Sequence, residues 1–153
     1  MTIKNEPNRP MTVVERAVAL RKVEAFRAVP IDQLAHVAAV AHEEAFLAGA
    51  VLFHEGDPPE SLYVVLSGKI RLHRGGKEFG EAVAGEPLGT WSLFIDHPRR
   101  GTAEVAEDAR LLVLDRDEFY EVLAEQVEVT RSMVQDLVSR LLELAGLSDK
   151  ECE

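Results

Sequence analysis

The sequence has a single cysteine and no long hydrophobic run. Cys152 lies near the end of the 153-residue chain, so we expect no disulfide within the chain and no thiolate cluster that holds a metal. No apolar run approaches the roughly 18 residues that indicate a membrane span. Residues 1–11 are polar and contain two prolines, unlike the apolar centre of a secretory signal. We therefore expect a cytosolic protein that does not bind membranes.

Positive charge is also scarce. The chain has 17 Lys and Arg against 27 Asp and Glu, which gives a net charge of −10 with His neutral. Binding to nucleic acids or anionic lipids depends on a basic face that neutralises phosphates, so we expect neither activity. Apolar residues make up 46% and charged residues 29%, as in an ordinary globular domain, and the length suffices for one domain with a substantial core.

The first part of the chain has a helical hydrophobic period. Residues 1–11 are predicted to be a loose tail, and residues 12–43 to form helices that begin a domain of residues 12–147. Thr12 and Glu15 have the spacing of a capping box that opens a helix. One face of this helix is predicted to hold Val14, Ala17, Val18 and Phe26. A second helix after Pro30 has an apolar face formed by Leu34, Val37, Ala38 and Ala41.

Between residues 44 and 115 short apolar runs alternate with turn residues, which is typical of a β-sandwich or barrel. The predicted strands are residues 51–53, 62–66, 70–72, 103–106 and 111–114. Turns are predicted at residues 49, 56–58, 68, 75–76, 85, 96–98 and 107–108. Residues 69–73 alternate as in a strand with one exposed face, whereas residues 62–66 are apolar throughout and are predicted to be buried on both faces.

Helical periodicity returns over residues 116–147. A short helix is predicted around Phe119, and a long amphipathic helix over residues 127–145, because apolar residues recur there at alternating steps of three and four. Residues 148–153 are predicted to be a polar tail. The apolar stripe of the long helix is wider than one terminal helix buries against a β-domain, so we expect homodimerisation or closure over a ligand.

The segment most informative about chemistry is residues 85–102, GEPLGTWSLFIDHPRRGT. Gly89 permits a tight entry into one helical turn, whose first amides lack an intrahelical acceptor and can donate to an anion. Arg99 and Arg100 follow this turn, and arginine offers a planar, permanently charged fork for a buried phosphate. The alternative interpretation is a surface loop with two solvated arginines.

The sequence shows no catalytic or metal-binding pattern. The five histidines include no His-x-His pair and no i, i+4 pair on a helix, which argues against a metal site. No Gly-x-Ser-x-Gly motif is present, and the single cysteine has no credible histidine partner. We therefore expect neither an enzyme nor a protein with a bound metal or cofactor.

The chain resembles the cyclic nucleotide-binding domain family over roughly residues 20–145, in the sensor form of catabolite activators and protein kinase regulatory subunits. The matching stretches are residues 26, 30–34, 46–49, 52–57, 62–72 and 98–103. The resemblance implies a mainly β fold: a jelly-roll-like β-barrel with N-terminal helices and a long C-terminal helix. It also implies that a cyclic nucleotide, cAMP or cGMP, binds against a phosphate-binding cassette, which is residues 85–102 in this chain (the cassette segment).

Carried over position by position, the resemblance implies a set of ligand-binding residues: Gly89, Thr90, Trp91, Ser92, Leu93, Arg99, Arg100, Gly101 and Thr102. Arg99 takes the phosphate-binding position and Thr102 the position of a ligand-contacting hydroxyl. Neighbouring strand residues face opposite sides, so one of Arg99 and Arg100 is expected to enter the pocket, and the spacing favours Arg99. Thr90 replaces the family's glutamate, which accepts a hydrogen bond from the ribose 2′-hydroxyl, and Trp91 replaces a leucine.

The resemblance implies a regulatory module that senses a small anionic ligand and signals through its C-terminal helices, as a homodimer through residues 127–145. Relatives that bind DNA append a further domain after the long helix, and this chain ends within ten residues of Leu144, so we expect no DNA binding by this chain alone. Thr90 and Trp91 support an alternative, a degenerate member that binds no nucleotide and serves as a protein-interaction or dimerisation module. The base of the ligand is left open by the sequence.

Overall fold

The computed structural model describes residues 9–147, so most of the predicted N-terminal tail and the C-terminal tail with Cys152 lie outside the described residues. The described residues form four α-helices, six strands and two short 3₁₀ turns. The helices are α1 (Val13–Leu20), α2 (Ile31–Ala38), α3 (Arg116–Glu125) and α4 (Val127–Leu144). The strands are β1 (His42–Phe46), β2 (Val51–Phe53), β3 (Ser61–Arg74), β4 (Lys77–Val83), β5 (Pro87–Leu88) and β6 (Thr102–Asp115). The 3₁₀ turns are Glu24–Phe26 and Thr90–Leu93.

Two long strands, β3 and β6, organise an antiparallel sheet. They pair along their whole length, from Ser61 opposite Asp115 to His73 opposite Thr102. β1 and β2 pair with opposite ends of β6, and β5 and β4 pair with opposite ends of β3. The predicted fold class, mainly β and jelly-roll-like with flanking helices, is confirmed, although the described strands do not close into a complete barrel.

Strand β3 separates two apolar cores. Leu62 and Val64 belong to a core shared with the helices, whereas Val65 belongs to a core enclosed by strands. All three are at most 1% exposed, whereas Tyr63 and Leu66 are partly buried, so both faces of residues 62–66 pack against a core as predicted, although two of the five side chains are not fully buried. The helix-side core also contains Phe26 and Phe119, whose rings lie 5.6 Å apart between centroids. Burial of an aromatic side chain of this kind stabilises the fold by about 1.5–3 kcal/mol.

Helix α1 begins where the capping box predicted. The Thr12 hydroxyl accepts a hydrogen bond from the Glu15 amide, and the Glu15 carboxylate accepts one from the Thr12 amide. A hydrogen bond from the Arg9 guanidinium, with the Thr12 amide, lowers the pKa of Glu15 to about 2. The start of this helix is therefore held by local contacts that the sequence spacing encodes.

The predicted buried face of α1 is wrong in part. Val14 and Val18 are 64% and 53% exposed, whereas Ala17 and Leu20 are fully buried. The helix ends at Leu20, so Phe26 lies on a separate 3₁₀ turn and does not share a face with it. Since the helix is only two turns long, its docking on α2 rather than a long apolar stripe decides which side is buried.

Several strand boundaries also differ from the sequence predictions. Residues 107–108, predicted as a turn, lie within β6, and Gly68 lies within β3. At Gly68 φ is +91°, and an added Cβ would lie 2.4 Å from the Asp108 carbonyl oxygen. Glycine therefore allows the two long strands to approach closely at an irregularity of the ladder. β1, β4 and β5 were not predicted, because β1 and β4 carry many charged residues and β5 is only two residues long.

The C-terminal region agrees with the predicted helices, since α3 and α4 cover residues 116–125 and 127–144. Val129 and Met133 of α4 are buried against the domain. Among the described helices, none has the length and apolar character needed to cross a membrane.

Candidate anion-binding site

A cavity of about 450 Å³ lies between the sheet and the cassette segment. This volume falls within the range of small-molecule sites in proteins, about 300–1,000 Å³. Seven of the nine predicted site residues line it: Gly89, Thr90, Trp91, Ser92, Arg99, Arg100 and Gly101. The rest of the wall is mainly apolar, with the addition of one histidine: Phe53, Leu72, Phe79, Leu88, Ile95, His97 and Pro98.

The other two predicted site residues lie outside this lining. Leu93 is fully buried in the helix-side core. The Thr102 hydroxyl accepts a hydrogen bond from the Glu55 amide at 2.9 Å, which ties the start of β6 to the β2–β3 turn. Both side chains therefore support the site from outside, and their contact with a ligand stays a prediction.

Arg99 is the buried charge of the cavity, with an exposed fraction of 8%. Its Nη1 donates to Ser92 Oγ at 2.5 Å, and its Nη2 donates to the Ser61 carbonyl oxygen at 2.7 Å. The guanidinium carbon lies 3.9 Å from the centre of the Phe53 ring, within cation–π distance. Nε is buried without a hydrogen-bond partner.

Within residues 9–147 no carboxylate forms an ion pair with Arg99. Burial lowers the pKa of Arg99, and the charges of Tyr63, Asp57 and Glu60 oppose this effect. The guanidinium nevertheless stays protonated. A buried cation without a counter-ion costs several kcal/mol. The site is therefore short of one negative charge, which an anionic ligand would supply.

The local backbone explains how Arg99 reaches this position. The Arg99 amide donates to the Asp57 carbonyl at 2.8 Å, and the Gly56 amide donates to the Arg99 carbonyl at 2.9 Å. This pair of bonds fixes Arg99 against the β2–β3 turn. Arg99 and Arg100 both precede β6, so strand alternation does not apply to them. Both line the cavity, where Arg99 is buried and Arg100 is exposed.

Gly89 makes room for the guanidinium. Its φ is +70°, and an added Cβ would lie 2.5 Å from Arg99 Nη1 and 2.8 Å from Ser92 Oγ. A larger residue would therefore suffer both backbone strain and a direct clash. The buried position of Arg99 therefore depends on the absence of a side chain at Gly89.

Half-exposed apolar side chains surround the mouth of the cavity. Trp91, Phe79 and Ile95 are 49%, 53% and 45% exposed, and all three line the wall. Sequence reasoning missed Phe79 because it lies on β4, which was not predicted. It also missed the Ser61 carbonyl, because a backbone acceptor leaves no signal in the residue type. Phe53 could have been found from the sequence, since it is an aromatic residue on a predicted strand.

Helix α3 contacts the outer side of the cassette segment. The Tyr120 hydroxyl donates to the Leu93 carbonyl, and Arg116 Nη2 donates to Asp96 at 2.5 Å. The Phe94 and Phe119 rings meet edge to face with centroids 5.7 Å apart. A displacement of the Thr90–Leu93 turn must therefore carry α3 with it or break these contacts.

A second, more open cleft of about 940 Å³ lies beside the start of α3. Its lining is acidic, with Glu60, Asp96, Asp115, Asp117 and Glu118, and this disfavours an anion. At its edge His42, Asp115 and Glu118 hold their ligand atoms within 4.8 Å of one another. His42 already pairs with Glu44 at 2.6 Å, and Asp115 accepts a hydrogen bond from Ser61 Oγ at 2.7 Å.

The described structure is thus an antiparallel β-roll with flanking helices, and its cavity holds a buried arginine that has no ion-pair partner within residues 9–147. The family model described as "Cyclic nucleotide-binding domain" matches residues 43–126, more than half of the chain. The chain belongs to this family.

Known relatives include both regulators and an enzyme. The chain is similar to the Cyclic AMP receptor protein of Thermus thermophilus, with 36% identity over 112 residues, 67% of this chain and 52% of the relative. It is also similar to Lysophospholipase NTE1 of Chaetomium globosum, with 32% identity over 99 residues, 61% of this chain but 6% of the relative. The chain thus spans about half or less of the curated relatives that it matches.

A solved structure supports the same assignment. The N-terminal domain of a transcriptional regulator from Streptomyces coelicolor A3(2) superposes with a TM-score of 0.74 and 31% sequence identity. The match covers 86% of this chain and 98% of that domain. The described fold is therefore that of a regulatory domain which other proteins carry as one part of a longer chain.

Proposed function

We propose that the domain binds a small anionic ligand, a cyclic nucleotide such as cAMP or cGMP, in the cavity of the cassette segment. The observation that carries the proposal is the buried Arg99 guanidinium, which has no ion-pair partner among the described residues. A phosphate supplies both the counter-charge and the hydrogen-bond acceptors that a buried guanidinium needs. Membership of the family supports a cyclic nucleotide over other anions.

The apolar wall supports a nucleotide over an inorganic anion. Phe53, Leu72 and Leu88 line the interior, and Trp91 and Phe79 lie at the mouth. Aromatic side chains stack on nucleobases with a contribution of about 1–3 kcal/mol per base. Affinity is then shared between the phosphate at Arg99 and the base on the apolar wall.

Thr90 lowers the affinity expected for a ribonucleotide. Of the described residues that line the cavity, none is Asp or Glu, so a ribose hydroxyl finds no carboxylate acceptor there. A hydrogen bond to a charged group contributes about 1.5–3 kcal/mol, which corresponds to about 10- to 100-fold in affinity. A degenerate domain that binds no nucleotide is the second candidate, and this substitution is the observation that favours it.

We infer that the domain acts as a regulatory module rather than as an enzyme, with α3 and α4 as its output. A ligand that favours one position of the Thr90–Leu93 turn shifts α3 through the contacts of Tyr120 and Phe119. Such a shift selects between two packings of the C-terminal helices.

We also propose that two copies associate through α4. Its outer face exposes an apolar stripe formed by Val134, Leu137, Val138, Leu141 and Leu144. On its inner face Arg140 pairs with Asp136 at 2.6 Å and donates to the Glu24 carbonyl at 2.9 Å, which holds the helix to its own domain. An exposed stripe at three- and four-residue spacing is typical of helix pairing between chains.

Replacement of Arg99 tests the ligand proposal. Arg99→Ala is expected to weaken cAMP or cGMP binding about 100-fold or more, because two charge-assisted hydrogen bonds are lost. Arg99→Lys should bind with intermediate affinity, since lysine keeps the charge but not the planar fork. Titration calorimetry measures the affinities, and circular dichroism checks that each variant folds.

The matched control is Arg131→Ala, which removes an exposed arginine that pairs with Glu128 on α4. It should bind as the wild-type protein does. Equal affinity of Arg99→Ala and the wild type would contradict the assignment of the phosphate site.

A further inference from the structure

The rim of the cavity carries positive charge beyond the buried Arg99. Arg100 lines the cavity and is exposed. Arg74 lies beside it, because Arg74 Nε donates to the Arg100 carbonyl oxygen at 2.5 Å. The guanidinium carbon of Arg74 also lies 4.7 Å from the centre of the Phe79 ring, which belongs to the cavity wall. Two arginines thus meet at one side of the mouth, around Phe79.

Within the described part of the chain, neither rim arginine has an ion-pair partner. Carboxylates of the adjacent turn and strands are engaged elsewhere. Glu55 accepts a hydrogen bond from the Gly75 amide at 3.4 Å, and Glu78 and Glu104 lie 3.4 Å and 3.9 Å from the Arg71 guanidinium.

The positive charge of this rim contrasts with the negative charge of the chain as a whole. The chain has a net charge of −10, and five acidic residues line the open cleft beside α3. The described wall of the cassette cavity instead carries Arg99, Arg100 and His97 and no carboxylate. A cyclic mononucleotide has one negative charge, which Arg99 alone neutralises, and the rim arginines are left over.

We propose that the cavity and its rim bind a nucleotide with two phosphate groups, one at Arg99 and the second at Arg74 and Arg100. This inference rests on the proposed function and narrows its ligand class. Guanidinium groups bind phosphate with short, charge-assisted hydrogen bonds, and the apolar side chains of Phe79, Trp91 and Ile95 provide surface on which a base stacks. Cyclic dinucleotides and linear nucleoside bisphosphates share this chemistry.

Three adenine ligands test the proposal by titration calorimetry at one ionic strength. They are cAMP with one phosphate, cyclic di-AMP with two phosphates in a ring, and adenosine 3′,5′-bisphosphate with two separate phosphates. At least one of the two-phosphate ligands is expected to bind the wild-type protein about 10-fold more tightly than cAMP. The one that binds more tightly identifies the source of the second phosphate.

The rim arginines are tested through one ratio, the affinity for the tighter two-phosphate ligand divided by the affinity for cAMP. Arg100→Ala and Arg74→Ala should each bring the preference for the two-phosphate ligand close to one, since the outer phosphate loses its partner. The ratio measured in Arg131→Ala should equal that of the wild type. An unchanged ratio in both rim variants would overturn the second phosphate site.

Failure of this inference is distinct from failure of the proposed function. If cAMP binds in an Arg99-dependent manner and neither two-phosphate ligand binds more tightly, the second phosphate site is wrong and the proposed function stands. If none of the three ligands binds the wild-type protein and cGMP does not bind it either, both are wrong.

Discussion

Arg99 keeps its buried position because its immediate neighbours are small or accept hydrogen bonds. Gly89 leaves space beside Nη1, Ser92 accepts from Nη1, and the Ser61 carbonyl accepts from Nη2. Phe53 covers one face of the guanidinium. These contacts hold the fork in one orientation, which lowers the ordering cost of the ligand binding that we propose.

The glycine beside this arginine provides a test of that geometry. Gly89→Ala is expected to lower ligand affinity about 10-fold or more, because the new Cβ displaces Arg99 Nη1 and with it one charge-assisted hydrogen bond to the ligand. The matched control is Gly49→Ala, since Gly49 has φ +98° with no atom within 4 Å of the added Cβ. Gly49→Ala should lose about 1–2 kcal/mol of stability from left-handed strain, and Gly89→Ala should lose more, because its Cβ also clashes with Arg99 and Ser92.

Urea denaturation compares the free energies of unfolding of the two glycine variants, and calorimetry compares their ligand affinities. Only Gly89→Ala should bind weakly. The same affinity in both variants would show that Gly89 has no role beyond the backbone turn.

For single residues, the sequence predicted Arg99 and Ser92 as members of the site but not the Ser61 carbonyl that also accepts from Arg99. Arg99 was predicted because the family resemblance places it at the phosphate-binding position, whereas the residue pattern alone left a surface loop with two solvated arginines open. The Ser61 carbonyl was not, since a backbone oxygen 38 residues away in sequence is placed by the pairing of β3 alone. Phe79 was missed because its strand, KEFGEAV, is too charged to have an apolar pattern.

Between elements, the main link from the cavity to the C-terminal helices is the contact of α3 with the Thr90–Leu93 turn. It combines the Tyr120 hydrogen bond to Leu93, the ion pair of Arg116 with Asp96, and the edge-to-face contact of Phe119 with Phe94. The hydrogen bond to Asp96 is the main cause that raises the pKa of Arg116 above its ordinary value.

Removal of one hydroxyl group tests this link. Tyr120→Phe keeps the ring beside Phe119 but loses the hydrogen bond to Leu93, so the free energy of unfolding should fall by about 1 kcal/mol. Hydrogen exchange of the amides in residues 90–95 should become faster, because the turn is no longer held by α3. Glu121→Gln, which changes an exposed neighbour on the same helix, should alter neither quantity. Unchanged exchange in Tyr120→Phe would mean that α3 does not restrain the turn.

Elements with strong local signals were predicted well, and those that depend on distant contacts were not. The capping box at Thr12 and the apolar repeat of α4 are formed by residues that belong to the helices they predict or lie next to them. The continuity of β3 and β6 through Gly68 and residues 107–108 depends instead on their mutual pairing. A turn signal in each strand is therefore overridden by the ladder that the two strands form together.

For the molecule as a whole, the exposed stripe on α4 is the surface at which we propose that a second copy binds. Leu141→Glu places a charge in the stripe and is expected to convert the wild-type dimer into a monomer in sedimentation at tens of micromolar protein, since a buried charge at such an interface is costly. Val14→Glu is the control, because Val14 and Leu141 are both 64% exposed and Val14 lies on α1. A wild-type protein that sediments as a monomer would contradict the proposed dimer.

The central claim, that the cavity binds a cyclic nucleotide, is tested most directly by the fluorescence of Trp91, the single tryptophan of the chain. Trp91 lines the cavity and is half exposed, so a bound ligand changes its surroundings. Titration with cAMP, cGMP and cyclic di-AMP should give a saturable change with at least one ligand, together with a raised melting temperature. No change in fluorescence or melting temperature up to millimolar ligand would contradict the claim and favour the domain that binds no nucleotide.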